Sequence, residues 1–452
     1  MDLYTIEKLT NQQGTMMLPD RLYQDSLRQV TFGTLTFPCT FISTHKRNCY
    51  LSEDLLKKLG NPYQHNWSLY VKDDTLYFLP IIGIFTTEYK GSQILPFGQR
   101  TEQFKHLIKL VKAKGGYAFY FTAERINWER GEIRGLVYEE NHWKESTLPF
   151  PQLVYDRTPN RRAERLAKVK NIKDRFQLDY GIPWFNPNFF NKWDLYQMLK
   201  SHPLSNQYLP ETYPLNYSFL TKALNNFTTV YIKPKNSSHG VGIKRITKSA
   251  TNAFACYSNT LNGTVRKQYT SVEQLMMNEF NKIPTSHYII QQGIELQTID
   301  GRPFDFRIHT NKDGKGKWQM SAIAVKMAGE HKVTTHHLHG GKIKSLSEVF
   351  NAEEAKMYIN LLKEDVLALS EALDESIGDL IGELGIDIGI DKDKRVWLFE
   401  INARPGRIIF HHPLIRRQEK LVHHYWLEYC CYLAKLTIDK PYTFVEKAKA
   451  LS

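Results

Sequence analysis

Three oxygen-bearing side chains, Asp387, Glu400 and Asn402, occur close together in this sequence. Residues 387–402 have the pattern of two short strands joined by a charged turn, so Glu400 and Asn402 should share one face of the second strand. The turn should bring Asp387 within a residue or two of Glu400. Oxygen ligands of this kind suit Mg²⁺, which binds a few carboxylates together with substrate phosphates. The stretch predicts a magnesium site; the alternative is an exposed hairpin with a solvated polar face.

Residues 229–246 have the pattern of a strand, a polar glycine-containing loop over 236–242 and a second strand. Glycines in such a loop let backbone N–H groups approach phosphate oxygens, and a lysine at the strand end can pair with a phosphate. The loop lacks the GxxxxGK[ST] pattern of a Walker A motif. The candidate phosphate-binding residues are Lys233, Ser237, Ser238, Gly240 and Gly242. The alternative is an ordinary hairpin loop.

Residues 286–296 form an apolar run that continues into a polar segment. A strand end of this type can offer backbone N–H and C=O groups to the edge of an adenine ring, with apolar residues above and below it. The candidate adenine-binding residues are Gln291, Gln292, Gly293 and Ile294. The alternative is the end of a buried strand that binds no ligand.

Residues 302–309 alternate, which places Asp305, Arg307 and His309 on one face of a predicted strand. Arg307 could stabilise a transferred phosphoryl group, and Asp305 could hold its guanidinium in place. The alternative is a cross-strand ion pair on a solvated sheet face.

The elements that must position these residues are mixed strands and helices. A continuous apolar strand from Pro80, a helix over Gln99–Lys114 and a further strand make a βαβ beginning typical of a doubly covered parallel sheet. The segment Ala352–Gly385 is predicted to be helical. The predicted division is a β-rich module over 1–78, a Rossmann-like α/β domain over 79–160, and a larger domain over 161–452 that ends in helices over 413–452.

Composition restricts the class of protein. The chain of 452 residues is long enough for about two to four domains. No apolar run approaches the roughly 18 residues that span a bilayer, and the N-terminus lacks a signal-peptide pattern. Five cysteines without metal-type spacing predict reduced, mostly buried thiols. We therefore expect a cytoplasmic protein without a membrane span.

The net charge of +13 favours an anionic partner. No helix-turn-helix, zinc-finger or RNA-binding motif is present, so the sequence does not predict nucleic-acid binding. The basic residues are dispersed except in Arg157–Lys173. That stretch is either a solvated amphipathic helix or a surface that faces an anion.

The order of these segments resembles the ATP-grasp superfamily. The spacing from Asp387 to Glu400 and the sequence EINARPG, which begins at Glu400, are similar to those of D-alanine–D-alanine ligases. Lys192 matches the position of a second nucleotide-binding lysine. The resemblance implies an ATP-grasp fold preceded by a pre-ATP-grasp domain, with ATP and Mg²⁺ as cofactors. It also implies phosphate contacts from Lys192 and Lys233.

A closer resemblance extends over nearly the whole chain. Segments such as YIKPK from Tyr231, FDFR from Phe304 and EINARPGR from Glu400 are similar to the YheC/YheD-type ATP-grasp proteins of endospore-forming bacteria. This resemblance implies association with the forming spore and its coat proteins, and it leaves the substrate undefined.

Two positions depart from the ATP-grasp pattern. Lys326 stands where an arginine is common, and a lysine cannot make the bidentate contact of an arginine. His336 and His337 replace an expected asparagine before Gly340 and Gly341. We expect these changes to alter the contacts with phosphate and the type of substrate more than the binding of nucleotide.

Three functions are compatible with the sequence. The first is a carboxylate–amine ligase that works through an acylphosphate, with Arg307, Arg404, Lys326 and Arg407 as candidates for contacts with the γ-phosphate and a substrate carboxylate. The second is a spore-coat structural or interaction protein with a retained or degenerate nucleotide site. The third is a phosphotransferase that acts on a hydroxyl group.

Overall fold

The computed structural model describes residues 2–10, 12–59, 66–92, 94–187, 189–237, 241–260, 263–281, 283–329 and 341–449. Four sheets carry most of the architecture, and they follow one another along the chain. Ser238, Gly240, His336 and His337 lie outside the described residues.

The first sheet contains the N-terminal strands in the order β4-β3-β8-β7-β1-β6-β2-β5. Its elements are β1 (Leu3–Leu9), β2 (Thr15–Pro19), β3 (Gln29–Phe32), β4 (Leu35–Pro38), β5 (Thr40–Thr44), β6 (Cys49–Ser52), α1 (Glu53–Lys58), β7 (Asn66–Lys72) and β8 (Thr75–Phe78). Trp67 is fully buried against Phe32 and Phe78. These rings belong to a core that the first sheet shares with the second, because Phe85 and Phe119 are in the same cluster of buried residues.

The second sheet has the order β11-β12-β10-β9-β14-β15, with β13 paired to β12. Its elements are β9 (Ile81–Phe85), α2 (Thr101–Ala113), β10 (Tyr117–Phe121), β11 (Ile126–Asn127), β12 (Glu132–Glu139), β13 (His142–Pro149), β14 (Leu153–Asp156), α3 (Arg161–Glu164), α4 (Ala167–Leu178) and β15 (Trp184–Phe185). Strand β9 is buried throughout and parallel to β10 and β14, which confirms the strand predicted from Pro80. This sheet continues beyond residue 160, because β15 pairs with β14.

The third sheet is antiparallel, in the order β16-β21-β17-β18-β19-β20. Its elements are α5 (Lys192–Ser201), β16 (Thr212–Pro214), α6 (Tyr217–Asn226), β17 (Thr229–Pro234), β18 (Lys244–Lys248), β19 (Phe254–Thr260), β20 (Gly263–Tyr269), α7 (Val272–Phe280) and β21 (Tyr288–Gln292). Val230 and Ile232 of β17 point into the core beneath α6 and α7. The alternate residues of β17 therefore face away from that core.

The fourth sheet has the order β25-β24-β23-β26-β27, with β22 paired to β23. Its elements are β22 (Thr298–Ile299), β23 (Arg302–Lys312), β24 (Trp318–Met327), β25 (Lys342–Lys344), α8 (Ala352–Ser376), β26 (Glu383–Ile390) and β27 (Val396–Asn402). The helix predicted over Ala352–Gly385 is thus too long. Residues from Glu383 onward are strand because they pair with β23 and β27, a tertiary contact that local sequence does not contain.

The C-terminal helices α9 (Glu419–Asp439) and α10 (Thr443–Lys449) join the parts of the molecule. Trp426 packs on Tyr155, and Tyr429 packs on Phe185, so α9 lies on the second sheet. Tyr70 donates a 2.8 Å hydrogen bond to Asp439 from the first sheet. The five cysteines are free thiols and all but Cys431 are buried, as predicted. None of the described helices is both long and apolar enough to cross a membrane.

Candidate nucleotide and metal site

A cleft with a volume of about 370 Å³ separates the third sheet from the fourth. The predicted residues that line it are Lys192, Lys233, Gln291, Gln292, Gly293, Ile294, Lys326, Asp387 and Glu400. They come from α5, β17, β21, β24, β26 and β27, which are far apart in sequence. The fold thus brings candidate phosphate, adenine and metal residues into one cleft.

The hairpin of β26 and β27 carries the candidate metal ligands. Asp387 is the register partner of Glu400, and Gly385 is the register partner of Asn402. The predicted proximity of Asp387 to Glu400 is therefore observed directly. Glu400 and Asn402 are half-buried, whereas Ile401 between them is in the core. Asn402 lies two residues beyond Glu400 on β27 and is not among the residues that line the cleft.

An irregularity in this hairpin changes the cleft. Asp387 is in register with Glu400, but the next residue of β26, Ile388, is in register with Leu398. Phe399 therefore is the extra residue of a bulge in β27. Phe399 lines the cleft beside Glu400, although simple alternation places it on the opposite face. A β-bulge commonly re-aims a side chain in this way. The alternating pattern could not show the bulge, so Phe399 was missed by sequence reasoning.

A buried charge cluster occupies the end of the cleft that carries the candidate metal ligands. The Lys326 ammonium lies 3.0 Å from Asp305 and 3.1 Å from Asp387, and Arg307 Nη1 lies 3.1 Å from the same oxygen of Asp387. Lys326 therefore bridges Asp305 and Asp387, and Arg307 pairs with Asp387. Lysine at 326 holds two carboxylates together, which a point charge does well.

The electrostatics of this cluster favour the charged forms of Lys326 and Asp387. Burial opposes the charge of Lys326, but Asp305 and Asp387 outweigh it and raise the pKa of the ammonium. Burial likewise opposes ionisation of Asp387, but Lys326 and Arg307 hold the pKa of that carboxyl below its usual value. Asp387 is thus a carboxylate at neutral pH, the form that binds a hard cation.

The two predicted phosphate lysines face each other in the cleft. Lys192 lies 3.5 Å from Glu400 and donates a 2.5 Å hydrogen bond to the carbonyl of Ser237. Lys233 donates to Gln291 Oε1 at 2.5 Å. Burial, followed by the charge of Lys192, lowers the pKa of Lys233 to about 8. Lys233 therefore still carries positive charge near neutral pH, at the same end of the cleft as the candidate metal ligands.

The other end of the cleft consists of backbone and rings. Residues 291–294 span the end of β21 and the first residues after it, and the N–H of Gly293 donates to Thr229 O at 2.9 Å. A Cβ atom at Gly293 would lie 2.8 Å from that same carbonyl, so glycine allows the close approach. Tyr231 and Phe399 also line the cleft, and the Lys233 ammonium lies 5.7 Å from each ring centroid. Aromatic walls beside a backbone edge suit a planar base.

Sequence reasoning also missed Arg245, which lines the cleft from β18. It is the register partner of Tyr231, and its guanidinium lies 4.5 Å from the Tyr257 centroid. Only the pairing of β17 with β18 places Arg245 next to Tyr231. An arginine on a predicted strand gives no signal by itself, because most arginines lie at the surface of proteins.

Arg404 is buried outside the cleft. Its Nη2 atom lies 2.9 Å from both Asp156 and Glu164, and Nε donates to the carbonyl of Asn186. Its side chain is only 4% exposed, and it joins the end of β27 to the second sheet. Arg407 instead pairs with Glu383 at 3.0 Å and does not line the cleft. The structure therefore does not bring these two predicted substrate contacts to the cleft. Arg307 is not among the lining residues either, but it contacts the lining residue Asp387.

The rest of the 236–242 loop agrees with its sequence pattern where it is described. Gly242 has a φ of +75°, the left-handed region that favours glycine. The Ser237 carbonyl receives the Lys192 hydrogen bond, and Asn236 accepts from Arg161. These contacts place the start of the loop against the phosphate end of the cleft.

Asn186 positions the hairpin of β26 and β27, although nothing in its sequence context identifies it. It is fully buried with φ +55°, and its side-chain oxygen accepts from the N–H groups of Gly382 and Glu383. Its amide donates to the carbonyls of Glu383 and Ala403. One side chain thus connects the start of β26 with the end of β27.

Gly385 leaves the space that Arg307 occupies. An added Cβ would lie 2.6 Å from Arg307 Nη2 and 2.7 Å from Pro405 Cβ. We expect Gly385→Ala to push Arg307 from Asp387 and to destabilise the protein by about 1–3 kcal/mol, the usual cost of overpacking. Thermal melts with and without nucleotide measure this. Gly406→Ala is the matched control, since a Cβ there meets nothing within 4 Å; equal effects of both changes would contradict the steric explanation.

The donor set fits a magnesium ion that also binds phosphate. Asp387 and Glu400 offer carboxylate oxygens next to each other, and Asn402 offers an amide oxygen on the same strand face. Within the part of the chain that the structure describes, no group of three or more His, Cys, Asp or Glu residues is arranged to hold a metal. Two carboxylates without a complete protein cage are typical of Mg²⁺ sites completed by a nucleotide.

Comparison with known proteins identifies the family of this chain. A sequence profile of the YheC/D-like ATP-grasp family matches residues 181–433. The endospore coat-associated protein YheD of Bacillus subtilis (strain 168) is 38% identical over 436 residues, which cover 95% of this chain and 96% of YheD. The endospore coat-associated protein YheC of the same organism is 25% identical over 294 residues, or 64% of this chain and 80% of YheC.

Among solved structures, the VanG D-Ala:D-Ser ligase from Enterococcus faecalis aligns with 78% of this chain and 99% of its own, with 12% identity and a TM-score of 0.45. The family profile covers more than half of the chain, and the match to YheD covers nearly all of it. The resemblance inferred from the motifs is confirmed, and the mixed α/β fold is the ATP-grasp fold. This chain is a member of the YheC/D-like ATP-grasp family.

Proposed function

We propose that this protein is an ATP- and Mg²⁺-dependent carboxylate–amine ligase associated with the forming spore coat. The observation that supports it best is the pair Asp387 and Glu400, adjacent in register and lining a cleft with Lys192, Lys233 and Lys326. Cations and oxygen ligands at one end of a cleft suit phosphoryl transfer, in which positioning and charge neutralisation do most of the work.

In the proposed reaction a substrate carboxylate oxygen attacks the γ-phosphorus of ATP, and the bond to the β-phosphate oxygen breaks to release ADP. An amine then attacks the carbonyl of the acylphosphate, the C–O bond to phosphate breaks, and the nitrogen loses a proton. Lys192 and Lys233 would hold the nucleotide phosphates, and Arg307 would contact the γ-phosphate. Bound Mg²⁺ on Asp387, Glu400 and Asn402 would neutralise phosphate charge.

Spore-coat association is proposed because both Bacillus relatives are endospore coat-associated proteins. We also propose a cytoplasmic site of action, with other coat proteins as partners. The substrates are proposed to be an anionic carboxylate compound and an amine, in keeping with the net charge of +13.

An ADP-release assay over a panel of carboxylates and amines tests the ligase. Turnover that depends on both compounds and yields an amide with free phosphate would support it. A phosphorylated acceptor without free phosphate would instead show a phosphotransferase. Absence of stimulated turnover together with absence of nucleotide binding would refute the proposal.

A binding protein without turnover is a second candidate, and Lys326 is the observation that favours it. This lysine is held between Asp305 and Asp387, so less of its charge is available to a phosphate. Stabilisation by Mg-ATP without turnover for any substrate pair would select this function.

The ion pairs in the cleft predict that metal and nucleotide bind cooperatively. Glu400 is paired with Lys192, and Asp387 is paired with Arg307 and Lys326. Each ligand alone must break these pairs and leave one partner uncompensated. We expect Mg²⁺ alone and ADP alone to raise the melting temperature only slightly and both together to raise it by more than the sum. Additive shifts would contradict the coupling.

Nucleotide affinity should decline as pH rises through about 8. The pKa of Lys233 is about 8 because burial and Lys192 disfavour its charge, whereas bound phosphate would favour the charged form. Affinity should therefore be constant below this pH and fall by up to about tenfold per pH unit above it, until the pKa of the complex is reached. Calorimetric titrations from about pH 6.5 to about 9.5 measure this. Lys233→Arg should remove the dependence, and an unchanged profile in that variant would assign it to another group.

A further inference from the structure

A basic surface lies beside the phosphate end of the cleft, on the segment that carries α3 and α4. Arg162, Arg165, Lys168 and Lys170 are exposed there, and Leu166 among them is 43% exposed. Lys168 pairs with Glu124 at 2.5 Å. The other three cations make no salt bridge with any residue that the structure describes. We call these four cations and Leu166 the α3–α4 surface.

The α3–α4 surface is connected directly to the candidate nucleotide site. Arg161, in the first turn of α3, donates from Nη2 to the carbonyl of Phe190 at 2.9 Å and from Nη1 to that of Asn236 at 3.3 Å. Phe190 shortly precedes Lys192, and Asn236 begins the phosphate loop. The start of this surface, where Arg162 follows Arg161, therefore lies close to Lys192 and the 236–242 loop.

A second cleft, of about 460 Å³, adjoins these cations. It is lined by Ala123, Glu124, Trp128, Ala167, Lys168, Asn171 and Ile172. The Arg175 guanidinium covers one face of Trp128 at 4.0 Å. An open groove with alkyl and indole walls beside a row of cations can accept an apolar side chain and neighbouring carboxylates.

We infer that the α3–α4 surface and its groove dock an acidic polypeptide segment with an apolar anchoring side chain, which delivers a carboxylate to the neighbouring cleft. The delivery of a carboxylate to the cleft rests on the proposed ligase function. Charge complementarity favours carboxylates on the cations, and the apolar groove gives the anchor a place. The apolar lining of the groove suits an apolar side chain, which a polypeptide has and a phosphodiester backbone lacks.

The test is fluorescence anisotropy with a labelled twelve-residue peptide of glutamates and one central leucine, without nucleotide. The variant R162E/R165E/K170E should bind it about tenfold or more weakly, because attraction becomes repulsion at exposed positions. The matched control K222E/K356E/K363E makes the same change in charge at exposed lysines on α6 and α8 and should stay within about twofold of wild type. Replacing the central leucine with serine should also weaken binding to the wild type.

Three outcomes would overturn the inference. The first is that the peptide does not bind to the wild type, and the second is that both triple variants lose the same affinity for it. The third is that single-stranded DNA or phosphatidylserine vesicles bind more tightly than the peptide and that R162E/R165E/K170E also weakens their binding. The Mg-ADP thermal shift is measured on every variant. Its presence in R162E/R165E/K170E shows an intact fold and nucleotide site, so failure of docking is separated from failure of the ligase proposal.

Discussion

Replacing Lys326 with methionine should destabilise the protein by about 3–5 kcal/mol, the cost of removing one partner from a buried ion cluster. Lys326 is 15% exposed, and its partner carboxylates Asp305 and Asp387 are 7% and 16% exposed. Methionine keeps the volume of the side chain but leaves Asp305 without its ammonium. Melting temperature and hydrogen exchange in β23 and β26 measure the effect, and exchange should become faster there than in the first sheet.

Two further variants check the electrostatic cause. Lys326→Arg keeps the charge and should retain most of the stability. The double change D305N/K326M removes the charge of Asp305 together with the ammonium that neutralises it, so this variant should be more stable than K326M alone. The defect of K326M should also diminish at acidic pH, because a protonated Asp305 needs no counter-charge. A K326M protein as stable as wild type at neutral pH would show that the cluster contributes no stability.

Glu400→Gln should abolish the metal-dependent part of nucleotide binding. In the wild type, Mg-nucleotide at a hundredfold excess over Kd should stabilise the fold by about 2.7 kcal/mol, and most of this should disappear when the carboxylate becomes an amide. Binding of metal-free nucleotide should persist or increase, since Lys192 is no longer held by Glu400 at 3.5 Å. Thermal melts with ADP, with and without Mg²⁺, distinguish the two effects.

Glu371→Gln is the matched control for this prediction, because Glu371 is an exposed residue of α8. It makes the same chemical change away from the cleft and should leave the Mg-ADP shift unaltered. A full magnesium-dependent shift in Glu400→Gln would exclude Glu400 as a metal ligand. Loss of the metal-free shift as well would indicate damage to the whole cleft.

The order and spacing of the site residues were readable in the sequence because they lie on strands with regular alternation. Alternation places Glu400 and Asn402 on one face, and the charged turn predicts their approach to Asp387. The candidate adenine-binding residues 291–294 and Lys233 were also predicted, and they line the same cleft. Local periodicity suffices for these residues because each is presented by its own strand.

Other features depend on which elements become neighbours. The pairing of Lys326 with Asp305, the entry of Phe399 into the cleft and the removal of Arg404 from it all arise from contacts between segments that are distant in sequence. Local pattern contains no information on such contacts, since register shifts and domain packing are set by the assembled sheets. The same holds for Asn186, whose four hydrogen bonds exist only in the folded chain.

The sequence by itself therefore determined the family, the kind of fold and the residue types that an ATP and magnesium site requires. The tertiary structure decided which cation pairs with which carboxylate, which arginines reach the cleft, and that a basic surface with an apolar groove adjoins its phosphate end. The physical reason is that side-chain type and alternation are local properties of the chain. Charge pairing and burial depend on distances between segments that only folding brings together.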